Sequence, residues 1–436
     1  MVELLTLALF PLIGSAAAIV LRIAVPEDLP ARFGLFFLLG SGTLGALLFI
    51  AGVLGFAPYG AALALCAASA GALAFGIARK LPRVDRRRAR RASPWPLIVL
   101  VLPFACVLAT TTILPLSDYD GRVTWLPKAQ AIVAENSITG PFFRGERGLN
   151  LHSRYPLLVP LDAATLMRLS GEHNERAVRW LYALLPLAFL LYARDALPGA
   201  AGPWITAGVA WLPMVIVAPA GSASTAYSDL AVMAFAGGAV LAAADGAAAL
   251  TACWMLCLVL TKNEGTIIGA AILGSMIVLR PAKKIWTAAA AAFVAGELTL
   301  RAWWSYVPAA YDERYDVLVR HLPERLHRVG GAAHALGRHA LQWTQWGAFW
   351  IAVVAGLVVI ATKARTKNNC FVAAVLLLSL SAYVLAFTVT SWSVEELATV
   401  SADRLLTHLL GPACAIIAAG VLAVTATESS GPAPSR

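Results

Sequence analysis

Long apolar stretches limit the possible folds of this chain more than any other feature of its sequence. A helix needs about 20 predominantly apolar residues to cross the hydrocarbon core of a bilayer, and the chain offers roughly a dozen such stretches. Hydrophobic residues make up 59% of the 436 residues and charged residues only 13%, whereas soluble proteins carry about 25% charged residues. The sequence therefore excludes a water-soluble fold and predicts an all-α, polytopic bundle of transmembrane helices.

The apolar stretches predict about thirteen spans. The first stretch begins Met-Val-Glu, without the basic segment of a secretory signal, so we interpret it as a span and not as a cleaved leader. The predicted spans cover residues 2–22, 33–55, 58–78, 95–116, 174–194, 202–219, 228–245, 247–261, 265–280, 285–306, 346–362, 370–390 and 404–425.

The basic residues lie in short connections between these stretches. The most basic connections are 79–91, 280–284 and 363–367, and the positive-inside rule assigns all of them to the cytoplasm. Loops 117–153, 309–345 and 391–403 are then expected on the outer side. The net charge of +10 is therefore interpreted as a topology signal and not as a nucleic-acid surface, which would require basic residues along one face with interleaved aromatics.

One apolar segment does not fit this alternation. Residues 154–169 are short for a span, carry Asp162 and Arg168, and have two prolines near their start. Counting this segment as a span would reverse the side of the following basic connections. We therefore predict an interfacial or re-entrant helix on the outer side.

The six cysteines all lie within apolar stretches. They form no Cys-x-x-Cys pair and no Cys/His cluster at metal-binding spacing, so neither a disulfide framework nor a zinc site is predicted.

The first predicted outer loop begins with a dense polar group. Asp118, Asp120, Arg122, Trp125 and Lys128 follow directly after the end of a predicted span. The group is compatible with a solvated turn that leads into an amphipathic helix anchored by its tryptophan. It is equally compatible with a polar site, and composition alone does not decide between the two.

Further polar groups lie at other predicted outer ends of spans. Ionisable groups so close to hydrocarbon are costly unless they are paired or face a cavity, so each is a candidate for function. For Lys262 the alternative is a structural pair with Asp229 or Glu264, and for the group at 152–155, which precedes an apolar helix, the alternative is an interfacial anchor. The residues concerned are His152, Arg154, Tyr155, Tyr227, Asp229, Lys262 and Glu264.

The second long loop is rich in arginine and histidine. Guanidinium groups bind phosphate through paired, charge-assisted hydrogen bonds, so the loop is a candidate phosphate surface, and a solvated face is the alternative. Its polar and aromatic residues include Asp316, His321, Arg325, His327, Arg328, His334, Arg338, His339, Trp343 and Trp346.

Taken in order, these motifs resemble those of the GT-C superfamily of polytopic glycosyltransferases. The closest branch contains the protein O-mannosyltransferases and lipid A aminoarabinose transferases, with a bacterial pattern Trp-Asp-x4-Trp-x2-Lys-Ala, Tyr-Pro-Leu-Leu-x-Pro, Tyr-x-Asp-Leu and Lys-x-Glu-Gly. The resemblance covers residues 95–285, with a weaker match at 403–408. Tyr119 replaces the first tryptophan, and Asp118 adds a second carboxylate. The matching residues are Asp120, Trp125, Lys128, Ala129, 155–160, 227–230, Lys262, Glu264, Gly265 and Arg404.

The resemblance implies a GT-C-like enzyme of the bacterial inner membrane. It would move a sugar from a polyprenyl-phosphate donor to a glycan, lipid or protein acceptor at the outer face, within membrane lipid and without nucleic acid. A carboxylate suits the general base, and fixed cations suit the leaving phosphate. Asp120, Asp118 and Asp229 are the implied catalytic residues; Arg122, Trp125, Lys128, His152, Arg154, Tyr155, Tyr227, Lys262, Glu264 and Arg404 are the implied substrate contacts.

Within this hypothesis Asp120 is favoured over Asp118 as the base because of its spacing to Trp125 and Lys128. Lys262 is expected to be the main cation for the carrier phosphate. No cofactor is assigned, and the need for a divalent cation stays open.

The expected organisation follows the same division. N-terminal spans and the basic loop occupy 1–93, the catalytic membrane module 94–310, the outer Arg/His-rich loop 311–345, C-terminal spans 346–425 and a cytoplasmic tail 426–436. A transporter or flippase and a non-catalytic assembly subunit are the alternatives. The absence of an inverted sequence repeat and the position of the polar groups at span ends favour the enzyme over a transporter.

Overall fold

A computed structural model of the chain describes residues 2–76, 93–146, 152–171, 175–218, 221–279, 281–309 and 315–429. The predicted basic connection 79–91 and the last seven residues of the predicted tail, 430–436, lie outside these ranges, as do Asn150, Arg280 and 311–314. Within them the chain forms α-helices and their connections, without a β-strand. The predicted all-α fold is confirmed.

The helices are numbered in chain order. The N-terminal helices are α1 (Val2–Leu7), α2 (Leu9–Val20), α3 (Leu29–Val53), α4 (Pro58–Gly76) and α5 (Trp95–Ile113). A π-helical turn at Gly121–Trp125 leads into α6 (Leu126–Glu135), α7 (Leu158–Ser170), α8 (Glu175–Ala196), α9 (Gly202–Ala210), α10 (Pro213–Ile216), α11 (Asp229–Ala244), α12 (Ala248–Thr261), α13 (Asn263–Leu279) and α14 (Lys283–Trp304). The remaining helices are α15 (Tyr315–Arg320), α16 (Leu322–Arg325), α17 (Val329–Ala340), α18 (Trp343–Trp346), α19 (Phe349–Lys363), α20 (Lys367–Val389), α21 (Val394–His408) and α22 (Leu410–Ser429).

Several helices have the length and composition of membrane spans. Five described helices are long and apolar enough to cross a bilayer, or six if the bent pair α21–α22 counts as one span. These are Val2–Val20, α3, α5, α8 and α20, and five shorter apolar helices coincide with further predicted spans. This finding agrees with an integral membrane protein, and the count of about thirteen spans stays a prediction.

Two predicted spans are broken by proline. Leu212 is extended between α9 and α10, because Pro213 lacks an N–H and disfavours helical geometry at the residue before it. The predicted last span, 404–425, falls on the pair α21–α22, which bends by 54°, and α21 begins at Val394, within the segment predicted as loop 391–403. Pro412 lies two residues after the start of α22 and cannot donate a helical hydrogen bond to the His408 carbonyl, which explains the bend.

Helix α11 forms the centre of the bundle. All of residues 229–243 are buried, and α8, α12, α21 and α22 pack around them. A Cβ atom on Gly411 of α22 would lie 2.3 Å from the Gly237 Cα atom. Small residues of this kind let membrane helices approach closely, so α11 is held on several sides and its first residue has a fixed position.

Segment 154–169, which was predicted as an interfacial or re-entrant helix, is mostly buried inside the bundle. Its helical part, α7, is buried from Leu158 through Met167, and the Asp162 carboxylate accepts a hydrogen bond from the Ser41 hydroxyl of α3. The segment is therefore a core helix of the bundle. Only one oxygen of its acidic residue, Asp162 Oδ2, is bonded by the neighbouring helix, and the buried Oδ1 has no hydrogen-bond partner among the described residues.

Candidate functional site

The Asp229 carboxylate is the centre of a buried ionic network. Its Oδ1 atom accepts from Lys262 Nζ at 2.8 Å and from His408 Nε2 at 2.9 Å, and its Oδ2 atom accepts from Arg404 Nη2 at 3.3 Å. Lys262 Nζ also lies 3.1 Å from Glu264 Oε1. We call Asp120, Asp229, Lys262, Glu264, Tyr383, Arg404 and His408 the Asp229 network.

The local sequence explains how these side chains reach the core. Asp229 is the first residue of α11, where the positive end of the helix dipole favours a carboxylate. Lys262 is extended, with φ −162° and ψ 155°, and separates α12 from α13. A Cβ atom on Gly265 would lie 1.9 Å from the Leu258 carbonyl oxygen. The glycine of the Lys-x-Glu-Gly motif therefore permits the close turn that directs Lys262 toward Asp229.

Arg404 joins the buried centre to the first loop. Its Nη1 atom lies 2.8 Å from Asp120 Oδ2, while Nη2 binds Asp229. The guanidinium stacks over the Tyr227 ring at 4.7 Å. The side chains of Arg404 and Asp120 are 15% and 16% exposed, whereas that of Asp229 is fully buried. The Asp120–Arg404 pair is thus the accessible edge of the network.

The first loop meets the segment before α11 at a close backbone contact. A Cβ atom on Gly121 would lie 2.4 Å from the Thr225 carbonyl oxygen, and the Asp120 N–H donates to the Tyr227 hydroxyl oxygen at 3.1 Å. Burial raises the pKa of Tyr227 to about 12, so the phenol stays protonated at neutral pH. The π-helical turn that follows Asp120 is a feature often found at functional sites.

Lys128 lies beside the network in an aromatic setting. Its ammonium donates to the His152 carbonyl at 2.7 Å and lies 5.5 Å and 5.4 Å from the Trp125 and Tyr155 rings, within the range of cation–π attraction. The Tyr155 ring stacks against the rings of Trp125 and His152, and it lies 5.7 Å from the Lys262 ammonium. Tyr155 thereby connects the first-loop motif with the Lys262 motif.

Three predicted site residues, Asp118, Arg122 and Arg154, have no described contact with the Asp229 network. Burial raises the pKa of Asp118, opposed by a backbone hydrogen bond and by the Arg179 charge, and its described contacts do not include the network. Arg122 is exposed. Arg154 donates to the Val307 carbonyl at 2.9 Å at the end of α14, so its described contacts fasten the loop to that helix.

His408 and Tyr383 belong to the network but were not among the predicted site residues. His408 lies four residues after Arg404, and this spacing brings two residues to one face of a helix. That spacing was the available signal. Tyr383 lies within the apolar helix α20, where a single phenol gives no sequence pattern.

The arginines of the second long loop bind backbone and surface partners. We call residues 315–346 the Arg/His segment. Arg325 donates to the Val389 and Thr390 carbonyls, and Arg328 donates to the Thr390 and Trp392 carbonyls. The segment therefore caps the C-terminal end of α20, where helix carbonyls lack partners within the helix.

The same segment also holds α21. His339 Nδ1 lies 3.0 Å from Asp403 Oδ2, and Trp346 Nε1 donates to Asp403 Oδ1 at 2.9 Å. Arg338 pairs with the exposed Glu395 at 2.5 Å. Asp403 directly precedes Arg404, so the Arg/His segment is linked to the Asp229 network through one helix.

The described residues contain no group of three or more His, Cys, Asp or Glu side chains placed to hold a metal ion. Comparison with known families, characterised proteins and solved structures finds no match for this chain. The GT-C resemblance is therefore a hypothesis that depends on the sequence motifs.

Proposed function

We propose that this protein is a multi-pass membrane glycosyltransferase that uses a polyprenyl-phosphate-linked sugar. The observation that carries the proposal is the convergence of its motifs. Asp120, Asp229, Lys262 and Arg404 lie far apart in sequence but are joined by contacts of 2.8 to 3.3 Å. These contacts unite the first-loop, Tyr-x-Asp-Leu, Lys-x-Glu-Gly and 403–408 motifs in one network.

Asp120 is the proposed general base. A base must come within hydrogen-bond reach of the acceptor hydroxyl, and Asp120 is at the accessible edge of the network, whereas Asp229 is fully buried. Asp229 then acts through Arg404, whose guanidinium it orients. Asp118, without a described contact to the network, is the weaker candidate.

Arg404 is the proposed cation for the leaving phosphate. The Lys262 side chain is 2% exposed and already contacts two carboxylates, which is the structural pairing that the sequence left as an alternative. Arg404 is partly exposed, and its buried Nε has no hydrogen-bond partner among the described residues. A guanidinium offers a planar set of donors that matches phosphate and stabilises the charge that develops on it.

The proposed setting is the inner membrane of a bacterium. About thirteen spans would place the basic connections in the cytoplasm and Asp120, Asp229 and Lys262 at the outer face. A polyprenyl tail remains in the lipid, so its phosphate would reach the site at interfacial depth. The acceptor would be a glycan, lipid or protein at that face.

The decisive experiment is transfer by the purified protein in vesicles. The donors are labelled polyprenyl-phosphate hexose, pentose and aminopentose, and the acceptor is an envelope extract from a strain that lacks the protein. We expect Asp120→Asn to lower transfer by about 100-fold to 10,000-fold, since the amide cannot accept the proton. Asp118→Asn is expected to do less, and Glu395→Gln serves as the control.

Two results would contradict this assignment. Normal transfer by Asp120→Asn together with inactive Asp118→Asn would make Asp118 the base. Absence of transfer with every donor, together with movement of a lipid-linked sugar across the vesicle membrane, would support the transporter alternative. Buried, paired ionisable groups such as Asp229 and Lys262 also occur along transport paths.

A further inference from the structure

His408 lies between Asp229 and Tyr383 in the interior of the bundle. Its Nε2 atom is 2.9 Å from Asp229 Oδ1, and its Nδ1 atom is 3.0 Å from the Tyr383 hydroxyl oxygen. None of the three side chains is more than 1% exposed. They belong to α21, α11 and α20, so a short chain of polar atoms connects three helices.

The chemistry of the two neighbours determines the protonation pattern of the imidazole. An ionised carboxylate only accepts hydrogen bonds, so Nε2 must carry a hydrogen. A neutral imidazole then has Nδ1 as an acceptor, and the Tyr383 hydroxyl is placed to donate to it. A doubly protonated ring would turn the Tyr383 oxygen into an acceptor and would require another acceptor for the phenol hydrogen. The hydrogen bond described for the Tyr383 hydroxyl is the one to His408 Nδ1.

We propose that Tyr383 and His408 are a positioning pair that fixes the rotation of the Asp229 carboxylate. Tyr383 selects the neutral Nε2–H form of His408, and the planar ring donates to Oδ1 along a fixed direction. Lys262 binds the same oxygen, but an ammonium has rotatable donors and constrains direction less. With Oδ1 fixed in this way, Oδ2 remains directed toward Arg404, which binds Asp120.

The inference has a part that is independent of the proposed function. The ring form of His408 is a property of the folded protein, whereas its effect on sugar transfer rests on the glycosyltransferase proposal. The two parts therefore need separate measurements. Neither part requires that the substrate be identified before the protein can be tested.

The first measurement is nitrogen NMR of the full-length protein in lipid nanodiscs at pH 7, with all seven histidines labelled. The His408 signals are those lost in His408→Gln. We expect a protonated Nε2 and an unprotonated Nδ1. Tyr383→Phe should move the Nδ1 signal, because it removes the donor to that atom. Ser379→Ala is the matched control, since Ser379 is buried one turn away on α20 and should leave both signals in place.

An imidazolium pattern or an Nδ1–H tautomer would overturn the proposed hydrogen-bond direction. An Nδ1 signal that is unchanged in Tyr383→Phe would equally overturn the role of Tyr383. A folding defect in Tyr383→Phe is recognised from changes in the other histidine signals, and in that case the His408 signals of the wild type still decide the tautomer.

The second measurement is sugar transfer by the same variants. We expect Tyr383→Phe to lower kcat about tenfold, as for one lost oriented hydrogen bond, with the KM for the donor changed less than twofold. His408→Phe should lower kcat further, and His408→Gln, which keeps a donor, should restore part of it. A kcat equal to that of the wild type in all three variants would overturn the positioning role. If the wild type transfers no sugar, the proposed function fails, and the Nδ1 signal still decides the ring form of His408 and its hydrogen bond from Tyr383.

Discussion

The Asp229 network and the Arg/His segment both concentrate charge, but they differ in what surrounds that charge. In the network, Asp229, Lys262 and His408 are buried, and the Asp229 carboxylate binds both of the other side chains. In the segment, Arg338 and its partner Glu395 are more than half exposed, and other arginines bind helix-end carbonyls. Both regions hold several charged side chains, and the two regions differ in how deeply those side chains are buried.

This difference in burial distinguishes a candidate functional site, the Asp229 network, from a structural contact, the Arg/His segment. Buried charges interact strongly and are costly when a partner is lost, whereas exposed pairs are screened by water and contribute little. We therefore expect function to be concentrated in the network. The Arg/His segment, which the sequence offered as a phosphate surface, has described contacts suited to holding α20 and α21.

The largest expected effect comes from Asp229→Ala. It leaves Lys262, Arg404 and His408 without their common acceptor, and loss of one partner from a buried pair costs about 3 to 5 kcal/mol. Denaturant unfolding in detergent measures the change. A loss no greater than that caused by Glu395→Ala would remove the distinction between the two regions.

A slightly smaller effect is expected for Lys262→Met. The substitution keeps the apolar stem but leaves Glu264 and part of Asp229 uncompensated, and Arg404 and His408 still bind Asp229. We expect a loss of roughly 3 kcal/mol, at the lower end of the range for buried pairs, measured by the same unfolding assay. Unchanged stability combined with weaker binding of polyprenyl phosphate would instead make Lys262 the phosphate ligand.

An intermediate effect is expected for Asp403→Ala, at the junction of the two regions. It removes the acceptor of His339 and Trp346, and hydrogen bonds to charged groups contribute about 1.5 to 3 kcal/mol each. Because the Asp403 side chain is 21% exposed, water replaces part of both bonds, and unfolding should show a total loss of only about 2 kcal/mol. Asp403→Asn retains one acceptor oxygen and should recover part of the lost stability. If this variant recovers neither stability nor sugar transfer, the proposed link from the Arg/His segment to Arg404 is wrong.

The smallest effect is expected for Arg338→Ala. Both partners of its ion pair are exposed, and such pairs contribute about 0.2 to 1 kcal/mol. The stability loss should shrink further in high salt, because salt screens exposed charges. A loss above 2 kcal/mol, or a loss insensitive to salt, would show that the Arg/His segment behaves like the buried network.

Much of the fold follows from sequence periodicity and composition. The apolar stretches predict helices near their observed positions, such as α3, α8 and α20, because a backbone in an apolar environment must satisfy its own hydrogen bonds. The internal breaks were not predicted. Those at Leu212 and at the bend before α22 lie next to prolines that hydropathy alone treats as part of an apolar run.

The sequence by itself determined the all-helical character and most members of the polar network, because ionisable residues such as Asp229 and Lys262 are conspicuous among apolar neighbours. Only the tertiary structure decided which of them meet. The pairing of Lys262 with two carboxylates, the bridge from Arg404 to Asp120, and the recruitment of Tyr383 and His408 depend on helices that are distant in sequence. Packing around α11 brings them together, and one-dimensional patterns do not specify the rotation of one helix against another.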